Sequence, residues 1–148
     1  MALAGLGISA ALIFVWTTIG VAMNASGTLC TTWRVFFSSS VIAFLLLAAF
    51  WATFRRSATV KRAAEDSAKA MLIGMLPEML VCAFLAAGDG KAQVTFLYLQ
   101  GPLPHSAVEA IGMYLLGTNL TGVVVGCVGA VLGTLAKWSV LRVRRASA

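Results

Sequence analysis

The stretch VFFSSSVIAFLLLAAFWATFRR, running from Val35 to Arg56, decides how this chain is read. From Val35 to Phe54 it carries no charge, and two arginines then follow at once. About 20 apolar residues are what a helix needs to cross the hydrocarbon core of a bilayer. Arg55 and Arg56 are the flank that stops such a segment on the cytoplasmic side, where Lys and Arg accumulate. The segment therefore predicts a membrane helix and also its direction.

Working outward, the composition agrees. Of 148 residues, 60% are hydrophobic and only 11% are charged. A soluble domain carries roughly 25% charged residues, so a single soluble core could not hide this much apolar surface. Three further apolar segments are expected, at about 3–23, 70–88 and 107–138. The last exceeds the thickness of a bilayer and must tilt, kink or protrude. The first lacks a basic leader and runs past 20 residues, so it reads as a membrane helix rather than a signal peptide. The fold class expected is an all-α integral membrane protein, a single domain built as a four-transmembrane-helix bundle.

Eleven Lys and Arg residues orient it. Nine lie in two places: Arg55, Arg56, Lys61, Arg62 and Lys69 in the connector 55–69, and Lys137, Arg142, Arg144 and Arg145 in the tail. The remaining two, Arg34 and Lys91, sit in the other connectors. This asymmetry predicts a cytoplasmic loop at 55–69, both termini inside, and an outside loop at 89–106. The net charge of +6 is thus topology and headgroup contact, and no nucleic-acid partner is implied. The expected setting is a bacterial inner membrane or an organelle inner membrane, with lipid and other membrane subunits or further copies of the chain as partners.

The connector 55–69 reads as a short polar helix or helix extension, with Glu65 and Asp66 able to pair with Arg62 or Lys69. The outside loop carries the apolar run Val94 to Leu99, too short to cross, which suits a cover over the outer mouth of the bundle.

The most informative side chain is Glu78, in Met75-Leu76-Pro77-Glu78-Met79-Leu80 near the middle of the third segment. A carboxylate at such depth costs about 3 kcal/mol or more, so it should face the bundle interior and be protonated, paired or hydrated. Pro77 lacks the donor that would bond Ile73, which predicts a hinge beside the acid. Asn119 and Thr121, inside the fourth segment, are candidate partners, and with Glu78 they form the candidate ion or proton site. The same segment carries two GxxxG pairs, Gly122 with Gly126 and Gly129 with Gly133, which let helix backbones approach closely. They predict tight packing within the bundle or between subunits.

Other chemistry is thinly represented. Cys30, Cys82 and Cys127 are far apart, and neither a disulfide nor a metal site is expected from them. His105 and Glu109 stand four residues apart near the start of the fourth segment, but one histidine without further ligands makes a poor metal site. Trp16, Trp33, Trp51 and Trp138 mostly fall near span ends, as interface anchors do. No GxSxG, P-loop, HExxH or dinucleotide fingerprint is present, so no catalytic residue and no cofactor is expected.

Two stretches resemble parts of the rotary-ATPase proteolipids. Ser9-Ala10-Ala11-Leu12-Ile13-Phe14 followed by Ser26-Gly27-Thr28 is similar to that family's glycine-rich first helix. Ala68-Lys69-Ala70-Met71 with Leu76-Pro77-Glu78 resembles its ion-carrying outer helix. The resemblance implies an ion-binding Glu78. The chain departs from the family in lacking the dense glycine ladder, in having no central acid in its fourth segment, and in placing the loop after the second span inside. It is not assigned to that family. The sequence leaves two readings: a non-catalytic subunit of a membrane complex or homo-oligomer, and a small ion- or proton-coupled channel or transporter that uses Glu78.

Overall fold

The computed structural model describes residues 2–27, 30–87 and 106–146. Among them the chain is all helical: α1 (Ala2–Ala25), α2 (Thr31–Arg56), α3 (Val60–Gly74), α4 (Leu76–Ala87) and α5 (Ala107–Ala146). The expected outside loop, with Val94 to Leu99 and His105, lies outside the described residues apart from Ser106.

Three of these helices are long and apolar enough to cross a membrane: α1, α2 and α5. Helices α3 and α4 qualify only together, and they are bent by 50° where they meet. Chain termination is local chemistry. Gly27 ends the α1 turn at φ 71, a conformation without penalty for glycine. Ser57 closes α2 in the same left-handed region, at φ 54, with its N–H on the Ala52 carbonyl. Thr59 then caps α3, its hydroxyl oxygen accepting the Arg62 N–H at 3.3 Å.

The polar connector at 55–69 is therefore mostly the first half of α3. Only residues 57–59 separate it from α2. Its exposed side carries Lys61, Arg62, Glu65 and Lys69. Its buried side is Ala63, Ala64, Ser67, Ala68, Ala70, Met71 and Gly74. Glu65 pairs with Lys61 at 3.9 Å, a surface contact worth about 0.3–0.5 kcal/mol. The helical reading thus extends the third apolar segment toward its N-terminus by one small-residue face.

That face exists to meet glycine. A Cβ placed on Gly122 would lie 2.5 Å from the Ala68 Cα, and one on Gly126 would lie 2.8 Å from the Ala64 Cα. Gly129 and Gly133 face α2 instead, with would-be Cβ atoms 2.6 Å from the Leu46 carbonyl oxygen and 2.5 Å from that of Phe50. Each GxxxG pair thus seats a different helix of the same chain against α5. Near the C-terminal end of α5, the Lys137 ammonium donates to the Ser57 hydroxyl, tying α5 to the α2–α3 turn.

Aromatic packing closes the opposite end of α1 and α2. Trp16 packs tilted at 5.0 Å from Phe37 and edge-on at 6.3 Å from Phe44, ring centre to ring centre. It is a half-buried packing residue, whereas Trp33, Trp51 and Trp138 are exposed as anchors would be. The Arg55 guanidinium lies over the Trp51 ring at 5.2 Å, a cation–π contact at the end of α2.

Candidate functional site

The site is built from the break between α3 and α4. If the helix ran straight, the Pro77 ring would strike the Ile73 carbonyl and leave it without a donor. The chain bends instead. The Met75 N–H still bonds the Met71 carbonyl at 2.9 Å, and the Met79 N–H bonds the Met75 carbonyl at 3.1 Å. Pro77 falls in the first turn of α4, where a missing N–H costs nothing. Gly74 permits the bend to pack: a side chain there would collide with Ile13 of α1.

Glu78 occupies that same first turn and is 0% exposed. The N-terminus of a helix carries partial positive charge, which favours an acidic group within its first turn. The C-terminal end of α3 meets it, with the opposite partial charge on its last carbonyls. The break between α3 and α4 therefore sets a carboxyl group at the amide end of one helix, next to the carbonyl end of another.

Other helices complete the enclosure. Met75 and Cys82, one turn to either side of Glu78, are also fully buried and share a core cluster with Ala110 and Tyr114 of α5. On α1 the Thr17 hydroxyl donates to the Ile13 carbonyl at 2.6 Å and lies 3.8 Å from the Met75 sulfur. On α5 the Thr118 hydroxyl donates to the Tyr114 carbonyl at 2.5 Å. The register that sets Gly126 on Ala64 and Gly122 on Ala68 carries the Thr118–Tyr114 turn toward the break as α5 continues antiparallel. Thr17, Glu78, Tyr114 and Thr118 are the buried polar side chains around this bend.

The remaining sequence candidates are distributed as follows. Pro77 lies at the bend. Gly122, Gly126, Gly129 and Gly133 are packing positions on the inner face of α5. Asn119 lies on the outer face of α5, exposed, its amide donating to the Leu115 carbonyl at 2.7 Å. Thr121 is half-buried. Asn119 and Glu78 are thus not brought together. Glu109 is exposed, its N–H bonded to the Ser106 hydroxyl at 3.2 Å.

Tyr114 and Thr118 were not singled out from the sequence, yet a signal existed. Ala110, Tyr114, Thr118, Gly122, Gly126 and Ala130 recur every fourth residue and all are buried. Extending the glycine stripe backward by fours reaches both. No group of three or more His, Cys, Asp or Glu among the described residues could hold a metal ion. Comparison of the chain with protein-family models, with curated proteins and with solved structures finds no match.

Proposed function

We propose that this chain is a small membrane protein that handles a proton or a monovalent cation at Glu78, within a four-span bundle whose termini face the cytoplasm. One observation carries the reading: a carboxyl group with no exposure stands in the first turn of α4, at the 50° break between α3 and α4. A charged or protonatable group at this depth is expensive to keep. Discontinuous helices whose ends converge on a buried polar centre are a recurring way to bind ions in a membrane. The enclosed Glu78 is the occluded state, and exchange requires α4 to swing about the Gly74–Pro77 bend.

The test is flux. Purified protein in liposomes should dissipate an imposed proton or sodium gradient, and Glu78→Gln should abolish the flux while the variant stays folded and monodisperse. No flux from the wild type, or equal flux from the variant, removes the proposal.

A second reading, a subunit of a membrane complex or homo-oligomer, is favoured by Asn119. Its amide is exposed on α5, and in a membrane an amide satisfied by a single carbonyl is better housed against another polar group across a helix interface. The glycine pairs no longer argue for this reading, because they are occupied within the chain. Cross-linking through cysteine at 119 would report it.

Orientation has its own check. Cys30 is exposed at the start of α2. The Trp33 backbone N–H holds its thiol below the ordinary value for cysteine, so more thiolate is present at neutral pH than in an unperturbed thiol. A membrane-impermeant maleimide should label Cys30 from the outside, with a rate that rises with pH about a midpoint lower than that of free cysteine. Cys82, fully buried, should react only after denaturation. Labelling of Cys30 solely from the cytoplasmic side would reverse the topology.

A further inference from the structure

Between α1, α2 and α3 lies a cleft of 590 Å³, within the range of about 300–1,000 Å³ usual for small-molecule sites. Ile8 and Leu12 line it from α1, Phe44, Leu47 and Phe50 from α2, and Asp66 from α3. Ile8, Leu12 and Leu47 are exposed, so the cleft opens on the flank of the bundle. Two charged side chains line it, Asp66 and Arg56, and they stand far apart. Helix α5 sets the register. A Cβ on Gly126 would meet Ala64 and Ser67 of α3, and one on Gly129 would meet Leu46 and Ala49 of α2. Asp66 is thereby level with the turn of α2 that holds Leu45. From Leu45 to Arg56 is about 16 Å at the rise of an α-helix. Arg56 has a partner of its own and does not serve Asp66.

Asp66 is therefore a half-buried carboxylate deep in a mostly apolar cleft. It forms no ion pair or hydrogen bond among the described residues. On α3 itself Arg62 and Lys69 stand about one turn to either side, both exposed, and neither closes to an ion pair with it. The residues that α1 and α2 bring to the cleft at that level are uncharged. A carboxylate so placed within a span is costly unless a cation reaches it. The walls then select the cation. A small ion such as sodium, or a primary ammonium, would give up its water to side chains that cannot replace it. A cation whose charge is wrapped in apolar groups has little hydration to lose, and it gains by covering the walls. Aromatic walls favour such ions further.

We infer that the cleft between α1, α2 and α3 is a binding site for a bulky lipophilic monocation, its charge against Asp66 and its apolar groups among Leu12, Phe44, Leu47 and Phe50. Because the cleft opens on the flank of a membrane bundle, such a ligand enters from the bilayer, into which it partitions. The site stands independently of the role of Glu78.

The experiment is equilibrium dialysis of the full-length protein in detergent against tetraphenylphosphonium and against tetraphenylborate, two ions of like shape and opposite charge. Wild-type protein should take up one phosphonium per chain, saturably, with an affinity about tenfold or more above that for the borate. The net charge of +6 favours the borate, so a preference for the phosphonium reports a local acid. Asp66→Asn should erase the preference, and Asp66→Glu should keep it. Ala48→Phe, which fills the cleft, should weaken phosphonium binding about tenfold with the acid still in place. Equal uptake of the two ions by the wild-type protein would show apolar partition alone and overturn the proposal. So would a preference that survives in Asp66→Asn, and one lost instead in Glu78→Gln would put the cation at the α3–α4 bend. The comparison of the two ions needs no variant, so a misfolded mutant does not protect the idea.

Discussion

Placing alanine at Gly122 or Gly126 should lower the melting temperature of the detergent-solubilised protein by about 3–10 °C, from an overpacking cost of about 1–3 kcal/mol each. Alanine normally stabilises an exposed helix relative to glycine, by up to about 1 kcal/mol, so the expected sign runs against helix propensity. The reason is distance. The new Cβ at Gly122 would stand 2.5 Å from the Ala68 Cα and 3.0 Å from the Ser67 carbonyl oxygen. At Gly126 it would stand 2.8 Å from the Ala64 Cα and from the Ser67 Cβ. Backbone atoms cannot rotate away as a side-chain tip can, so α5 must separate from α3. Gly117 supplies the control, because nothing lies within 4 Å of its would-be Cβ. Gly117→Ala should melt at or slightly above the wild type. A Gly126→Ala protein as stable as the wild type would mean that α3 does not pack on α5 in this register. Because both glycines face the chain's own α3, the loss should appear as intramolecular instability, without a change in oligomeric state.

The contrast between α5 and α3 explains what could be read in advance. The spans of α1, α2 and α5 follow from apolar length alone, and their ends from Asn24, Arg55 and the basic tail. The small-residue spacing in α5 was legible as a packing face, but its partner was not. The face it meets on α3 is Ala63, Ala64, Ser67, Ala68 and Gly74, interleaved with Lys61, Arg62, Glu65, Asp66 and Lys69. Dense charge made that segment read as a short polar helix or helix extension, with no sign of a packing face. The hydropathy of a window averages over both faces and so hides an apolar stripe of small residues. Glu78 was legible because a carboxylate within an apolar run is conspicuous. Its surroundings were not, because which faces of α5 and α1 turn toward it depends on helix rotation. Asn119 stood out by its chemistry, yet it is one residue past Thr118, and a step of 100° on a helix takes it from the interior to the outer face. Only the stripe of residues every four positions carried that rotational information.

Glu78→Leu should make the protein more stable and inactive, with a melting temperature raised by about 2–6 °C. A carboxyl group with 0% exposure has given up its hydration, and a partner inside the protein returns only part of that cost. Met75 and Cys82, one turn to either side on the chain, belong to the core cluster that also holds Tyr114 and Ala110, an apolar setting that suits leucine. Evolution has little reason to hold a costly acid in such a shell for packing, because apolar residues of like volume often serve as well or better. On the proposed role Glu78 is kept for its chemistry, and a gain in stability with loss of activity is the usual signature of such a group. Glu78→Gln separates the two contributions. It preserves shape and hydrogen-bonding capacity but cannot exchange a proton or neutralise a cation. It should melt close to the wild type and still fail in the flux assay. The opposite pattern is equally readable. If leucine lowers the melting temperature by several degrees while glutamine restores it, Glu78 acts as a hydrogen-bonding lock that joins the α3–α4 bend to its neighbours. The polar layer of Thr17, Tyr114 and Thr118 would then be scaffold, and transport would have to be sought elsewhere in the bundle.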